Sequence, residues 1–262
     1  MDTVRKEDGR PVMLKKVLPE EGPYELSITE LFSSPGLRGD PKNHCVPLLE
    51  LIDLSQTNPD GRKLMVMPLL RPFKNPRFQT YGEFVAFFMQ ISEVGSTIIE
   101  QNLQTISDRF WSGPQIHARK ESGAPVGMVS LSKGAIIQSF CRDCTVNNIM
   151  FDPSGMYPNG YHPVQVNRSL NFKGRAKRYS RTERPPRYYM IDFGLSRRYS
   201  SRNALDDPLR GGDKSAPEHG NGERCNPFHT DIYYLGNLVR EFFLKVRLTD
   251  LASSFVEANE PS

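Results

Sequence analysis

The side chains best able to do chemistry lie in the C-terminal half, in four short patterns. In order, they are Arg142-Asp143 with Asn148 five residues after the aspartate, Asp192-Phe193-Gly194, Ala216-Pro217-Glu218, and Asp231 followed by Gly236. A carboxylate and an amide at that spacing can serve a reacting hydroxyl, or can cap backbone groups in a turn. One specified tripeptide occurs by chance in roughly three of every hundred chains of this length, so a single match decides nothing. Two tripeptides and two spaced patterns in one order carry far more weight. Other chemistries fit less well. Cys141 and Cys144 form C-x-x-C, elsewhere a redox pair or half a zinc site, but no second such pair occurs. His44, His162, His219 and His229 also lack ligand spacing. The run from Gly211 to Ser215 places Asp213 where a phosphate-binding P-loop needs a glycine before the lysine. No G-x-S-x-G elbow is present, so serine hydrolysis has no support.

The four landmarks resemble those of eukaryotic protein kinases. The texture of Cys144-Thr-Val-Asn-Asn-Ile-Met150 and of Tyr188 to Arg198 is similar to the protein-kinase-like proteins of fungi. The resemblance covers most of residues 10–246. It implies an α+β, two-lobed protein kinase-like fold, with a small mixed β/α N-lobe over 1–70 and a mainly helical C-lobe over 71–262. It also implies transfer of the γ-phosphoryl group of ATP to a protein hydroxyl, Ser/Thr rather than Tyr, with ATP and Mg²⁺ as cofactors. In such chemistry the protein positions the reactants and neutralises charge, so carboxylate, amide and lysine must converge. By the resemblance, Asp143 is the base that accepts the substrate proton, and Asn148 and Asp192 hold Mg²⁺. Lys15, in Val12-Met13-Leu14-Lys15, holds the phosphates, Glu25 is its ion-pair partner, and Leu70 offers backbone groups to an adenine edge. Glu218 anchors the activation segment by ion pairing, and Asp231 braces the catalytic loop. Strand alternation puts Lys15 on one face with Met13 and Lys16 on the other with Val12 and Leu14, which leaves the choice of lysine to burial.

Three departures temper this expectation. Nothing before Lys15 resembles G-x-G-x-x-G, so the first two strands of the family are expected to be absent, the next strand to form an uncovered sheet edge, and ATP binding to be weak. Cys141 stands where the family has histidine, and Thr145 where many Ser/Thr kinases have lysine. The alternative expectation is therefore a catalytically weak or inactive pseudokinase acting as a scaffold. The segments 92–140 and 152–187 are unusual for the family. The first reads as an insertion or a mistranslated stretch, and the C-lobe reads as truncated after the helix containing Asp231, as in a fragment.

The elements that must position these residues follow from periodicity. Arg10 to Val17 reads as a strand, and Glu25, Ile28, Leu31 and Phe32 as the helix after it. Cys45 to Leu54 and Lys63 to Leu70 flank the turn signals Asn58-Pro59 and Asp60-Gly61, an antiparallel hairpin. Phe84, Phe87, Phe88 and Ile91 make a helical stripe, and so do Ile232, Leu235, Val239, Phe242 and Val246, read as buried. Thr97 and Glu100 form a capping box before Ile99, Leu103, Ile106 and Phe110, while Ile149 to Phe151 and Tyr188 to Ile191 are short strands.

The chain has 262 residues, ample for its own core, with 21 Pro and 20 Gly arguing against an all-helical bundle. Its longest apolar run, Phe84 to Met89, is too short to span a bilayer, and its polar start resembles no signal peptide. A cytoplasmic or nuclear setting is expected, with a protein substrate and no membrane partner. The net charge of +4 hides a basic run from Lys173 to Arg187, with seven cations against Glu183. That run reads as a solvated loop first and as a nucleic-acid or phosphate contact second.

Overall fold

The computed structural model describes residues 2–18, 20, 22–54, 61–93, 138–140, 143–199, 201, 203–208 and 213–244. The capping box at Thr97, most of the segment 92–140, Cys141, Arg142, Gly211 and Val246 lie outside them. Three antiparallel sheets and a small set of helices make a mixed α/β architecture. The first sheet has the order β1-β2-β4-β3, from Asp2–Val4, Pro11–Val17, Glu50–Asp53 (β3) and Lys63–Pro68 (β4). The expected hairpin is there, in the register Glu50↔Val66 to Asp53↔Lys63. Its first strand starts five residues later than the apolar run suggests. Pro47 interrupts that run, and Cys45 bridges in parallel to Met190 instead, with Val46 N–H donating to the Met190 carbonyl at 2.9 Å.

One expectation is overturned at the N-terminus. The strand carrying Lys15 is not an uncovered edge, because β1 pairs with it from Asp2↔Met13 to Val4↔Pro11. The turn between them is closed by Asp8, which accepts from the Arg10 backbone at 3.1 Å and pairs with Arg5, while Gly9 takes the left-handed φ of 68°. A three-residue strand followed by four charged residues, Arg5 to Asp8, gives too weak an alternation to be read from sequence.

Helix α1 (Glu25–Phe32) packs Ile28 and Phe32 into the core and is followed by the single turn α2 (Pro35–Arg38). Helix α3, over residues 81–93, starts where the Thr80 hydroxyl accepts from Glu83 N–H at 3.2 Å. It buries Phe87 and Ile91 as its stripe requires. The second sheet joins β5 (Arg71–Pro72), β7 (Ile149–Phe151) and β8 (Tyr188–Met190) in that order, and β6 (Gln138–Phe140) pairs with β9 (Arg197–Tyr199). A single apolar cluster runs from Val17 and Ile28 through Met65 and Phe73 to Phe151, Met190 and Tyr234. After the short α4 (Glu218–Asn221), α5 (Pro227–Val239) is capped by the Asn226 side chain and continues into a π-turn, Arg240–Leu244. Its buried face is Phe228, Asp231, Tyr234 and Leu238, while Ile232, expected inside, is 67% exposed. The wider π-turn then brings Phe242 and Phe243 against Phe73 and Phe84, which a uniform 3.6-residue stripe cannot anticipate. No helix of the described residues is long and apolar enough to cross a membrane.

The excursion between β7 and β8 exposes Lys173, Arg175, Lys177, Arg178 and Arg184, as its charge suggests, but Arg181 and Arg187 are drawn into the fold. Arg181 is buried; it donates to the Tyr188 hydroxyl at 2.6 Å and to the Pro76 carbonyl at 2.8 Å, and lies over the Phe78 ring. Arg187 donates to the carbonyls of Asp40, Pro41 and Asn43. Arg71, also buried, reaches the Val166 carbonyl at 2.6 Å and Asn167 Oδ1 at 3.0 Å, with its guanidinium against the rings of both Tyr157 and Tyr161. Burial holds both Arg71 and Arg181 below the ordinary guanidinium pKa. Carbonyls and aromatic faces surround these cations, although Nε of Arg181 is buried without a hydrogen-bond partner, and neither forms an ion pair among the described residues.

Candidate active site

The site begins with two adjacent lysines on β2, which alternation sends to opposite faces. Lys16 is exposed. Lys15, opposite Met65 in the ladder, turns toward α1, where its ammonium pairs with the Glu25 carboxylate and donates to Asp192 Oδ1 at 2.7 Å. Glu25 opens α1, where the helix dipole favours a negative charge. Its side chain is 7% exposed, and it also accepts from the backbone of Phe193. Burial works against the Lys15 ammonium, but the hydrogen bonds to Asp192 and Glu25 outweigh it and lift its pKa above 10.5. Burial also pushes the Glu25 carboxyl up, opposed by Lys15.

Asp192 follows β8 with a φ of 62°, in the left-handed region that costs a non-glycine residue about 1–3 kcal/mol. That conformation lets Oδ1 meet both Lys15 and, at 3.2 Å, the Gly194 amide. Phe193 drops into the core beneath it. Gly194 lies in close approach: a Cβ there would sit 3.2 Å from Asp192 Oδ1, a tight contact, and 3.6 Å from Glu25 Oε2, an ordinary one.

A second group lies one strand away. Asn148, buried at the end of a 3₁₀ turn, donates through Nδ2 to Asp143 Oδ2 at 2.7 Å and to its carbonyl at 3.0 Å. The pair is tied to Asp192 through β7 and β8, since Ile191 N–H donates to the Asn148 carbonyl at 2.9 Å. Lys15 and Asp192, of the first group, line a cavity of about 400 Å³ together with Met13, Val46, Met67 and Leu70, among others. Leu70 is buried on its wall. Thus Lys15, Glu25 and Asp192 meet directly, Asp143 and Asn148 meet each other, and Leu70 reaches the same cavity. Sequence reasoning did not find Val46, Met13 or Met150 as lining; only the parallel bridge to Met190 brings Val46 there.

The donors suit a hard divalent cation. Nδ2 of Asn148 is committed to Asp143, so its amide oxygen is the group left over, and Asp192 offers a second carboxylate oxygen. No cluster of three His, Cys, Asp or Glu among the described residues could hold a metal unaided, so an ion here would share ligands with a bound molecule. Asp231 is buried in the second turn of α5, and Tyr234 is pushed to a high pKa by burial and then by the carboxylates of Asp213, Asp231, Asp143 and Glu218. Glu218 accepts from the Thr230 hydroxyl; the anchoring ion pair expected of it is not found among the described residues.

No family model matches the chain, and no curated protein does, so the expected closeness to fungal proteins has no counterpart. Among solved structures, the kinase PK-1 of Cydia pomonella granulovirus superposes on 91% of this chain with a TM-score of 0.47 and 14% identity. The match spans 61% of that kinase's length. A likeness at this level assigns no family, and the functional reading rests on the geometry.

Proposed function

We propose that the chain is a protein kinase-like phosphotransferase that moves the γ-phosphoryl group of ATP to a serine or threonine hydroxyl of a protein. The observation that carries this reading is Lys15, held by both Glu25 and Asp192 at the wall of a cavity large enough for a nucleotide base and sugar. Lys15 would exchange Asp192 for the phosphates while Glu25 keeps its ammonium in place. Asp192 and Asn148 would hold Mg²⁺, which neutralises phosphate charge. Met13, Met67 and Leu70 offer an apolar slot to the base, and Leu70 enters no hydrogen bond among the described residues, so its backbone is open to the adenine edge. Asp143, oriented by Asn148, would accept the hydroxyl proton as the substrate oxygen bonds to phosphorus and the bond to the ADP oxygen breaks.

A second reading, a scaffold without turnover, draws on the same Lys15–Asp192 bond, which occupies groups that phosphate and cation require. A thermal-shift titration with Mg²⁺ and ATP separates them. A ligand at a hundred times its Kd stabilises by about 2.7 kcal/mol, a rise of several degrees for a chain of this size. Asp192→Asn should abolish the Mg²⁺-dependent part. No shift at millimolar ATP would overturn the phosphotransferase and leave the scaffold.

A further inference from the structure

The excursion between β7 and β8 carries a small β-ribbon near its middle. Ala176 N–H donates to the Asn167 carbonyl and Ser169 N–H to the Gly174 carbonyl, both at 3.0 Å, and between these bonds Arg168 and Arg175 face each other across the ribbon. They form a non-hydrogen-bonded antiparallel pair, the closer of the two kinds, with Cβ atoms about 4.5–5.5 Å apart on one face. Both are exposed, and neither has an ion-pair partner among the described residues. Like charges directly opposite one another destabilise a ribbon, so the free protein carries an uncompensated repulsion that an anion would relieve.

The ribbon is rigid enough to present that pair. Arg71 pins its base through Val166 and Asn167. At the tip, Phe172 takes a left-handed φ of 61°, a strained conformation for a bulky residue, and its ring packs edge-on against His162 at 4.2 Å. In the same stretch of chain Val164, Leu170 and Phe172 are exposed. Lys173 and Lys177 add exposed positive charge.

We infer that this ribbon docks a phosphorylated segment of a partner protein, its phosphate gripped between Arg168 and Arg175. A phosphate monoester carries close to two negative charges at neutral pH and matches two guanidinium forks. These exposed apolar side chains favour a peptide over a nucleic acid. Val164 and Leu170 give bases no stacking face, and the Phe172 ring already has His162 against it. The inference stands independently of phosphoryl transfer.

Fluorescence anisotropy on the full chain tests it with three labelled probes: a short peptide with one phosphoserine flanked by leucines, its unphosphorylated twin, and single-stranded oligothymidylate. The phosphopeptide should bind about tenfold or more tighter than either of the others, the strength of one to two charge-assisted hydrogen bonds. Arg175→Glu should abolish that preference while raising the melting temperature of the free protein, because a repulsive pair becomes an attractive one. Simple misfolding would lower the melting temperature, and Arg168→Gln, which removes only one fork, should also lose the preference. Equal binding of the two peptides, tightest binding by the oligonucleotide, or an unchanged preference in both variants would overturn the inference.

Discussion

Replacing Lys15 by methionine tests the electrostatics at the centre of the candidate site. Methionine keeps the length and apolar stem of the side chain but leaves Glu25, 7% exposed, facing the cavity without its cation. A buried carboxylate stripped of its partner costs about 3–5 kcal/mol if it stays charged. It can instead take up a proton, which caps the penalty. Protonating a carboxyl of pKa 4.5 at pH 7 costs about 3.4 kcal/mol, at about 1.36 kcal/mol per pH unit. Burial already raises the Glu25 pKa, so the cap is lower, and removing Lys15 also relieves that residue's own desolvation. A loss of about 2 kcal/mol at pH 7 is expected, or roughly 4–8 °C in melting temperature. The sign of the pH dependence follows from the raised carboxyl. Its stabilising contribution is complete below 4.5 and is lost as pH rises through the folded value, a loss that grows once Lys15 is gone. Lys15 itself titrates above 10.5 and plays no part in this range. The gap between wild type and Lys15→Met should therefore shrink below about 1 kcal/mol at pH 5, where the proton costs little. Lys15→Met combined with Glu25→Gln should recover most of the loss at pH 7. Urea unfolding of the three proteins at pH 5 and 7 provides the measurement. A penalty equal at both pH values, or a double variant no more stable than Lys15→Met, would refute the burial argument.

Other perturbations probe the supports. The Tyr188 hydroxyl is pushed up to about 12 by burial, partly opposed by Arg181. Its contribution is therefore complete below pH 10 and lost as pH rises to about 12, roughly 3 kcal/mol in all; Tyr188→Phe should flatten the alkaline limb of a stability profile, and an unchanged slope would assign that limb to other groups. Arg71→Lys should cost about 3 kcal/mol or more in urea unfolding, because an ammonium cannot serve Asn75, Val166 and Asn167 together; a loss below 1 kcal/mol would show that the fork is dispensable. Asn148→Leu removes the donor to Asp143 and should destabilise by about 1–3 kcal/mol, with the same variant losing any Mg²⁺-dependent thermal shift. Phe87→Ala, at the centre of the aromatic stack with Phe73, should cost about 3–5 kcal/mol, read by calorimetry.

What the amino-acid order determines by itself is local. The periodicity of Glu25 to Phe32 and of Phe84 to Ile91 specifies helices at those positions, because each apolar stripe has only one way to face a core. The turn residues between Leu54 and Lys63 specify an antiparallel pair. The ordered patterns mark Asp143 and Asn148, which meet each other, and Asp192, which meets Lys15. The tertiary structure decided the rest. Alternation allows either Lys15 or Lys16 to face inward, and only the docking of α1 on one side of the sheet selects Lys15. Strand β1 is too short to show a pattern and exists because β2 offers it an edge. Arg71 and Arg181 look like solvated cations in the sequence. They are buried because carbonyls and rings distant in the chain converge on them, and pairings of that range leave no trace in any local window of residues.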